Sequence, residues 1–239
     1  MWTGFRDLLF PKVCRICHIK LDQSINSPGN ICSACWSKIE YIFPPYCLRC
    51  GHPSGDGHTA ACHHCSTRTP AYAFARGVGK YTGTLRATIL QLKLHYQQDI
   101  AEPLSNILIH YLLKSREFSD YKTYDYMVPV PLSRAKKRDR EFNQVELIAQ
   151  YISTALELPV SVNNLYRKRN TIPQMKLAPE KRLMNVQDAF AVREPEQFNR
   201  KKILLLDDIM TTGATVNECS HTLMRAGCYN IAVLVLARG

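Results

Sequence analysis

No stretch of the 239 residues stays apolar for the ~20 positions that a membrane-crossing helix requires, so no such segment is expected. A secretory leader is not expected either. The opening MWTGFRDLLFP is broken by Arg6 and Asp7 and lacks a small-residue cleavage pattern. Trp2, Phe5, Leu8 and Leu9 recur instead at the spacing of a short amphipathic helix. The expected location is therefore the cytoplasm. Acids are the scarcer charge, 20 Asp and Glu against 31 Lys and Arg, for a formal net charge of +11. That excess calls for a polyanionic partner: nucleic acid, a pyrophosphate compound, or both. Low-complexity tracts are missing, and no cysteine occurs between Cys65 and Cys219.

What is abundant is cysteine near the start. Eight of the ten fall in the first 65 residues as C-x-x-C pairs: Cys14 with Cys17, Cys32 with Cys35, Cys47 with Cys50, and Cys62 with Cys65. In a reducing compartment this is no disulfide framework. Four knuckles separated by 14, 11 and 11 residues have the spacing of two zinc ribbons, each with four cysteine ligands. Each knuckle offers two thiolates, and two knuckles complete a tetrahedral shell around structural Zn2+. Adjacent knuckles close the shortest loops, which favours first with second and third with fourth, with crossed pairing as the alternative. His18, His52, His63 and His64 lie in or beside knuckles and are expected to stay outside the ligand set. Cys219 and Cys228 read as small core residues.

The ribbon module is expected over residues 1–70, with Pro44 and Pro45 as a rigid joint between its halves. Over 71–239 apolar periodicity takes over. Strands are expected at 74–81, 126–130, 203–206 and 231–236, and helices at 84–96, 99–113, 143–156 and 215–226, with Asp99 capping the second helix. Such alternation predicts an α/β fold with a doubly wound, mostly parallel sheet.

The most informative stretch is ILLLDDIMTTGATV, residues 203–216. Four large aliphatics form a strand buried on both faces, and Asp207 and Asp208 end it. Thr211, Thr212, Gly213, Ala214 and Thr215 make a small, hydroxylated turn into a helix. Free amides and the helix dipole there favour a phosphate, and the acids suit sugar hydroxyls or magnesium. A ribose 5-phosphate satisfies both halves. DDIMTTGAT resembles the phosphoribosyl pyrophosphate (PRPP) motif of type I phosphoribosyltransferases, which implies that fold for this region.

Two basic segments precede the motif in sequence. Residues 128–144, VPVPLSRAKKRDREFNQ, end a strand at Val130, Pro131 and Leu132 and deliver Arg134, Lys136, Lys137, Arg138 and Arg140. This segment has the position and sign for a departing pyrophosphate, or equally for nucleic-acid phosphates. Residues 167–185 carry Arg167, Arg169, Thr171, Gln174, Arg182 and Asn185 without periodicity and read as a polar loop.

The paired ribbons, the Leu92-Lys93 pair, VPVPLS with its arginine-rich loop and FNQ, the spaced Arg167, Thr171, Gln174 and Leu177, and the PRPP motif resemble, in that order, the ComF family of competence proteins, which includes ComFC and GntX. One position departs from its pattern: Glu141 stands where the family has glycine. The resemblance implies a protein of DNA uptake, natural transformation or use of DNA as nutrient. It implies PRPP with Mg2+ as ligand, single-stranded DNA as partner, and competence helicase or DNA-processing proteins as further partners. Asp207 and Asp208 would hold the ribose, 211–215 the 5-phosphate, and Arg134 the pyrophosphate, with the acceptor unnamed. The alternative is a non-catalytic PRPP- or nucleotide-binding adaptor. Lys93 is either an extra phosphate contact or a snorkelling helix lysine. Trp36, Tyr41, Phe43 and Tyr46 either stack bases or fill the ribbon core.

Overall fold

The computed structural model describes residues 12–22, 27–54, 61–132, 142–169, 171 and 178–239. Two short helices, α1 (Ser33–Trp36) and α2 (His63–Thr67), start directly after Cys32 and Cys62. The chain continues through β1 (Phe74–Lys80), α3 (Gly83–Leu94), α4 (Ala101–Lys114), β2 (Tyr126–Pro129) and α5 (Gln144–Leu156). Next come β3 (Leu165–Arg167), α6 (Pro179–Val186) and β4 (Phe190–Val192), the two strands pairing antiparallel. Last are β5 (Lys202–Met210), α7 (Ala214–Arg225) and β6 (Asn230–Arg238).

The main sheet has strand order β1-β6-β5-β2 and is parallel throughout. Its central strands are apolar on both faces, which only a covered sheet tolerates. Leu204, Leu206, Ala232 and Leu234 pack with Leu92 of α3, Leu108 of α4 and Ile148 of α5. Ile203, Leu205, Ile231 and Val233 face the other way, onto Val216, Cys219 and Leu223 of α7. Each such side chain, fully buried, stabilises the fold by roughly 1.5–3 kcal/mol. The doubly wound α/β arrangement is thus observed, and Cys219 and Cys228 are core residues. Among the described residues no helix is long and apolar enough to cross a membrane.

Three boundaries differ from expectation. Strand β5 does not stop at Leu206; its ladder with β6 continues to Met210 opposite Arg238. Ladder bonds need backbone and not apolar side chains, so the acids lie inside the strand. Strand β2 ends at Pro129: the amide of Val130 still reaches the Leu206 carbonyl at 2.8 Å, and Pro131 has no N–H to carry on. Beyond that point β5 outruns β2 at the carboxyl end of the sheet, the end where such folds bind ligands. The third difference is Asp99, which does not cap α4; its carboxylate pairs with Arg15. Asn143 does cap α5, accepting from the Val145 amide at 3.1 Å.

Candidate functional site

The cysteines gather as Cys14, Cys17, Cys32 and Cys35, and as Cys47, Cys50, Cys62 and Cys65. Sequential pairing of knuckles is therefore the arrangement found. A zinc ion ~2.3 Å from four tetrahedral sulfurs spaces those sulfurs about 3.8 Å apart. The Cys14–Cys35 pair lies at 3.8 Å, and the Cys17–Cys32 and Cys50–Cys62 pairs at 3.7 Å. Backbone amides support the thiolates: Cys32 N donates to Cys14 Sγ at 3.4 Å and Cys62 N to Cys47 Sγ at 3.3 Å. Burial pushes the Cys14 thiol up, but the amides of Cys17, Cys32 and Ile16 outweigh it and bring its pKa to about 6. The same balance, with the amides of Cys50, Cys62 and Arg49, brings Cys47 to about 6. Donor set and spacing both fit Zn2+. Among the described residues the clusters are of cysteine alone, and His18, His52, His63 and His64 stand outside them.

The phosphate-type turn is built as its residues require. Gly213 sits at φ +78°, a left-handed conformation that glycine adopts without strain, and it precedes the first helical residue, Ala214. The first-turn amides of α7 consequently face out of the helix end. Thr212 Oγ1 accepts from the Ala214 amide at 3.4 Å, and Thr211 Oγ1 accepts from Arg182 at 3.0 Å. A cavity of about 520 Å³ opens against this turn, bounded on its far side by the second cysteine cluster, His52, His64 and Arg68.

The two acids do not form a side-by-side doublet. Successive strand residues point to opposite faces, and their surroundings follow. Asp208, only 5% exposed, is held on the helical face: Lys93 Nζ donates to Oδ1 at 2.7 Å and Gln144 Nε2 to Oδ2 at 2.6 Å. Asp207 turns toward the α7 face, within electrostatic reach of Arg167 and Cys219, and its Oδ1 accepts from the Asp208 amide at 2.8 Å. Neither acid lines the cavity, which lies on the ribbon side of the turn.

Lys93 therefore neither snorkels nor stands free for a phosphate; it neutralises Asp208. Gln144 had no role assigned from spacing, and the signal that would have found it is the partner a buried carboxylate demands. Arg182 lies on α6, an eight-residue helix inside the segment expected to be a loop. Too few turns are present there for periodicity to register. Arg167 donates to Thr171 at 2.5 Å, which gives the spacing of those two residues a physical meaning. Of the pyrophosphate-loop residues, Val130 is buried and its carbonyl accepts from Asn143 at 3.3 Å, while Pro131 and Leu132 are half-buried. Arg134, Lys136, Lys137, Arg138 and Arg140 lie outside the described residues, as do Glu141 and Gln174.

The ribbon aromatics divide by burial. Tyr46 is buried, donating to Glu117 at 2.5 Å, and Trp36 packs on two cores. Tyr41 and Phe43 are exposed, Phe43 by 73%.

The double zinc ribbon domain family matches residues 5–67. The chain is 31% identical to the DNA utilization protein YhgH of Escherichia coli K12 over 231 residues, 97% of this chain and 99% of the relative. It is 29% identical to Competence protein F of Haemophilus influenzae over 211 residues, 88% of this chain and 91% of the relative. Among solved structures, the glutamine PRPP amidotransferase of B. subtilis complexed with ADP and GMP aligns over 57% of this chain and 26% of its own, with 15% identity and a TM-score of 0.39. The architecture rests on strand order and packing.

Proposed function

Because the chain belongs to the ComF family, we propose that it is a cytoplasmic protein of DNA uptake or DNA use that binds PRPP with magnesium and single-stranded DNA. The observation that carries this reading is the junction at the carboxyl end of β5. There a glycine-hinged, hydroxylated turn opens α7 just after two acids that lie beyond the last β2 pairing, Asp207 half-buried and Asp208 buried. Backbone amides and hydroxyls at Thr211, Thr212, Gly213, Ala214 and Thr215 would grip the 5-phosphate. Asp207 and Asp208 supply oxygen donors suited to ribose hydroxyls or to Mg2+, which when bound neutralises the diphosphate. Val130, Pro131, Leu132 and Arg134 would border the pyrophosphate. In the transferase version an acceptor attacks the anomeric carbon and pyrophosphate leaves, with acceleration coming from positioning and preorganised charge. The exposed Tyr41 and Phe43 offer stacking faces for single-stranded DNA. The same reading divides the chain into a ribbon module, 1–70, and a phosphoribosyltransferase-like domain, 71–239.

One observation favours a second reading, a PRPP-binding adaptor that recruits a competence helicase or DNA-processing proteins. Both oxygens of Asp208 are already held, by Lys93 and Gln144, so this acid is engaged within the protein and not left open to a reacting sugar. Calorimetry with PRPP and magnesium, followed by a pyrophosphate-release assay with and without single-stranded DNA, separates the versions. Binding with DNA-stimulated release supports the transferase, and binding without release the adaptor. A zinc-loaded protein that binds no PRPP rejects both.

A further inference from the structure

Each cysteine cluster is anchored to a different part of the fold. The first is tied to the helical face, where Arg15 donates to both carboxylate oxygens of Asp99, at 2.7 and 2.9 Å. The second sits beside the 211–214 turn. Cys47, Cys50 and Cys65 share one core with Tyr72, Met210 and Ala214. Two side chains bind these parts together. Asn217, in the first turn of α7, accepts from the Ala71 amide at 2.8 Å and so fixes the exit of the ribbon to the helix that bears the turn. Arg238, at the end of β6 and only 8% exposed, spans the whole gap. Its Nε donates to the Cys50 carbonyl at 3.3 Å and its Nη2 lies 3.9 Å from Cys50 Sγ. Its Nη1 donates to the Met210 carbonyl at 3.0 Å, and to the carbonyl of Thr211. Between cluster and turn lies the 520 Å³ cavity, with Cys50 and Cys62 on one wall and Thr211, Thr212 and Gly213 on the other.

We propose that the second zinc centre is a wall of the phosphate-ligand chamber, and that Arg238 links its metal occupancy to the affinity of the turn for a sugar diphosphate. This rests on reading the turn as the PRPP site. A guanidinium is a rigid planar fork with five donors, so contacts on one edge fix the direction of the other. Four thiolates around one Zn2+ leave a net negative cluster, which holds Arg238 in place and through it the carbonyls of Met210 and Thr211. Without zinc that anchor loosens and the turn loses its support. Linkage is reciprocal: a ligand that orders the turn must raise the equilibrium affinity of the second centre for zinc by the same coupling energy, and so lower the metal-free fraction open to alkylation.

The test uses the full-length, zinc-loaded protein, challenged with a zinc-selective chelator and pulse-alkylated. Peptide mass spectrometry assigns the modified cysteines to one cluster or the other. PRPP with magnesium should slow alkylation of the second cluster by roughly fivefold or more and leave the first cluster unchanged. Arg238→Lys and Arg238→Met should each accelerate second-cluster alkylation without ligand and erase the protection by PRPP. Arg15→Met should accelerate only the first cluster. Equal protection of both clusters in the wild type overturns the inference, as does unaltered second-cluster behaviour in folded Arg238→Lys. A wild type that binds no PRPP in calorimetry ends the PRPP reading instead. The ligand-free alkylation rate of Arg238→Lys then still decides whether the arginine holds the metal centre.

Discussion

Lys93 Nζ lies 2.7 Å from Asp208 Oδ1, joining α3 to the carboxyl end of β5 through an ion pair that is almost closed to solvent. Asp208→Asn removes the charge and leaves Lys93 without its partner. The variant should lose on the order of 2 kcal/mol in urea denaturation, since an unpaired buried charge costs more than its pair returned. PRPP affinity should fall more than tenfold by calorimetry. Asp207→Asn, on the half-exposed side, should lose affinity with a clearly smaller stability change. Equal destabilisation by the two substitutions would contradict the opposite-face geometry.

Gly213→Ala tests the turn. A Cβ there meets Met210 Cε at 2.7 Å, and φ is +78°. The flexible methionine can yield, but the left-handed backbone cannot relax, at a cost of roughly 1–2 kcal/mol. A lower melting temperature together with weakened PRPP binding is expected. Unchanged values for both would show that the turn is not the left-handed, ligand-facing bend described above.

Glu117 gives the fold a defined acid limit. Burial pushes its carboxyl up, but hydrogen bonds from Ser115, Tyr46 and Arg76 outweigh that and hold it at about 2. A depressed folded pKa contributes stability that is complete above the unfolded value of ~4.3 and fades as pH drops toward 2. Glu117→Ala strands the buried Arg76, whose Nε lies 2.9 Å away, and should cost about 3 kcal/mol at neutral pH. Denaturation measured across pH 7 to 2 should show wild type and variant converging in acid; a gap that stays constant would refute this assignment.

Elemental analysis should give two zinc ions per chain. Because Cys47, Cys50 and Cys65 share a core with the sheet, chelation should lower the melting temperature of the whole protein and not only disorder the ribbons. Loss of zinc with an unshifted main transition would separate the ribbon from the sheet.

Phe43→Ala should weaken single-stranded DNA binding roughly fivefold or more by fluorescence anisotropy, the worth of one stacked base. The ring is 73% exposed, so the melting temperature should not move. Undiminished DNA affinity would assign the aromatic face another purpose.

The zinc clusters and the turn were legible in the sequence for the same reason: their chemistry is local. A C-x-x-C knuckle places two thiolates within one turn of chain, and a Thr-Thr-Gly bend behind a buried strand marks the start of a helix by its own residues. The sheet could be read as well, because residues such as Leu204 and Val233 must be apolar wherever a strand is covered on both faces. Spacing fell short at Asp207 and Asp208. Adjacency in sequence suggested a doublet, whereas the pleat of an extended strand sends neighbours apart.

Sequence alone thus determined where the cysteine ligands cluster and where the small, hydroxylated turn opens a helix, since ligand type and turn chemistry belong to residues and their immediate neighbours. Only the tertiary structure decided that Lys93 and Gln144 close on Asp208, and that Arg238 bridges a zinc knuckle to the turn. Cys50 and Arg238 stand 188 positions apart. No periodicity spans that distance; they meet because the third knuckle runs alongside β1, Ala75 N donating to the Arg49 carbonyl at 2.7 Å, while parallel pairing with β1 sets Arg238 opposite Lys80 and beside Gly77.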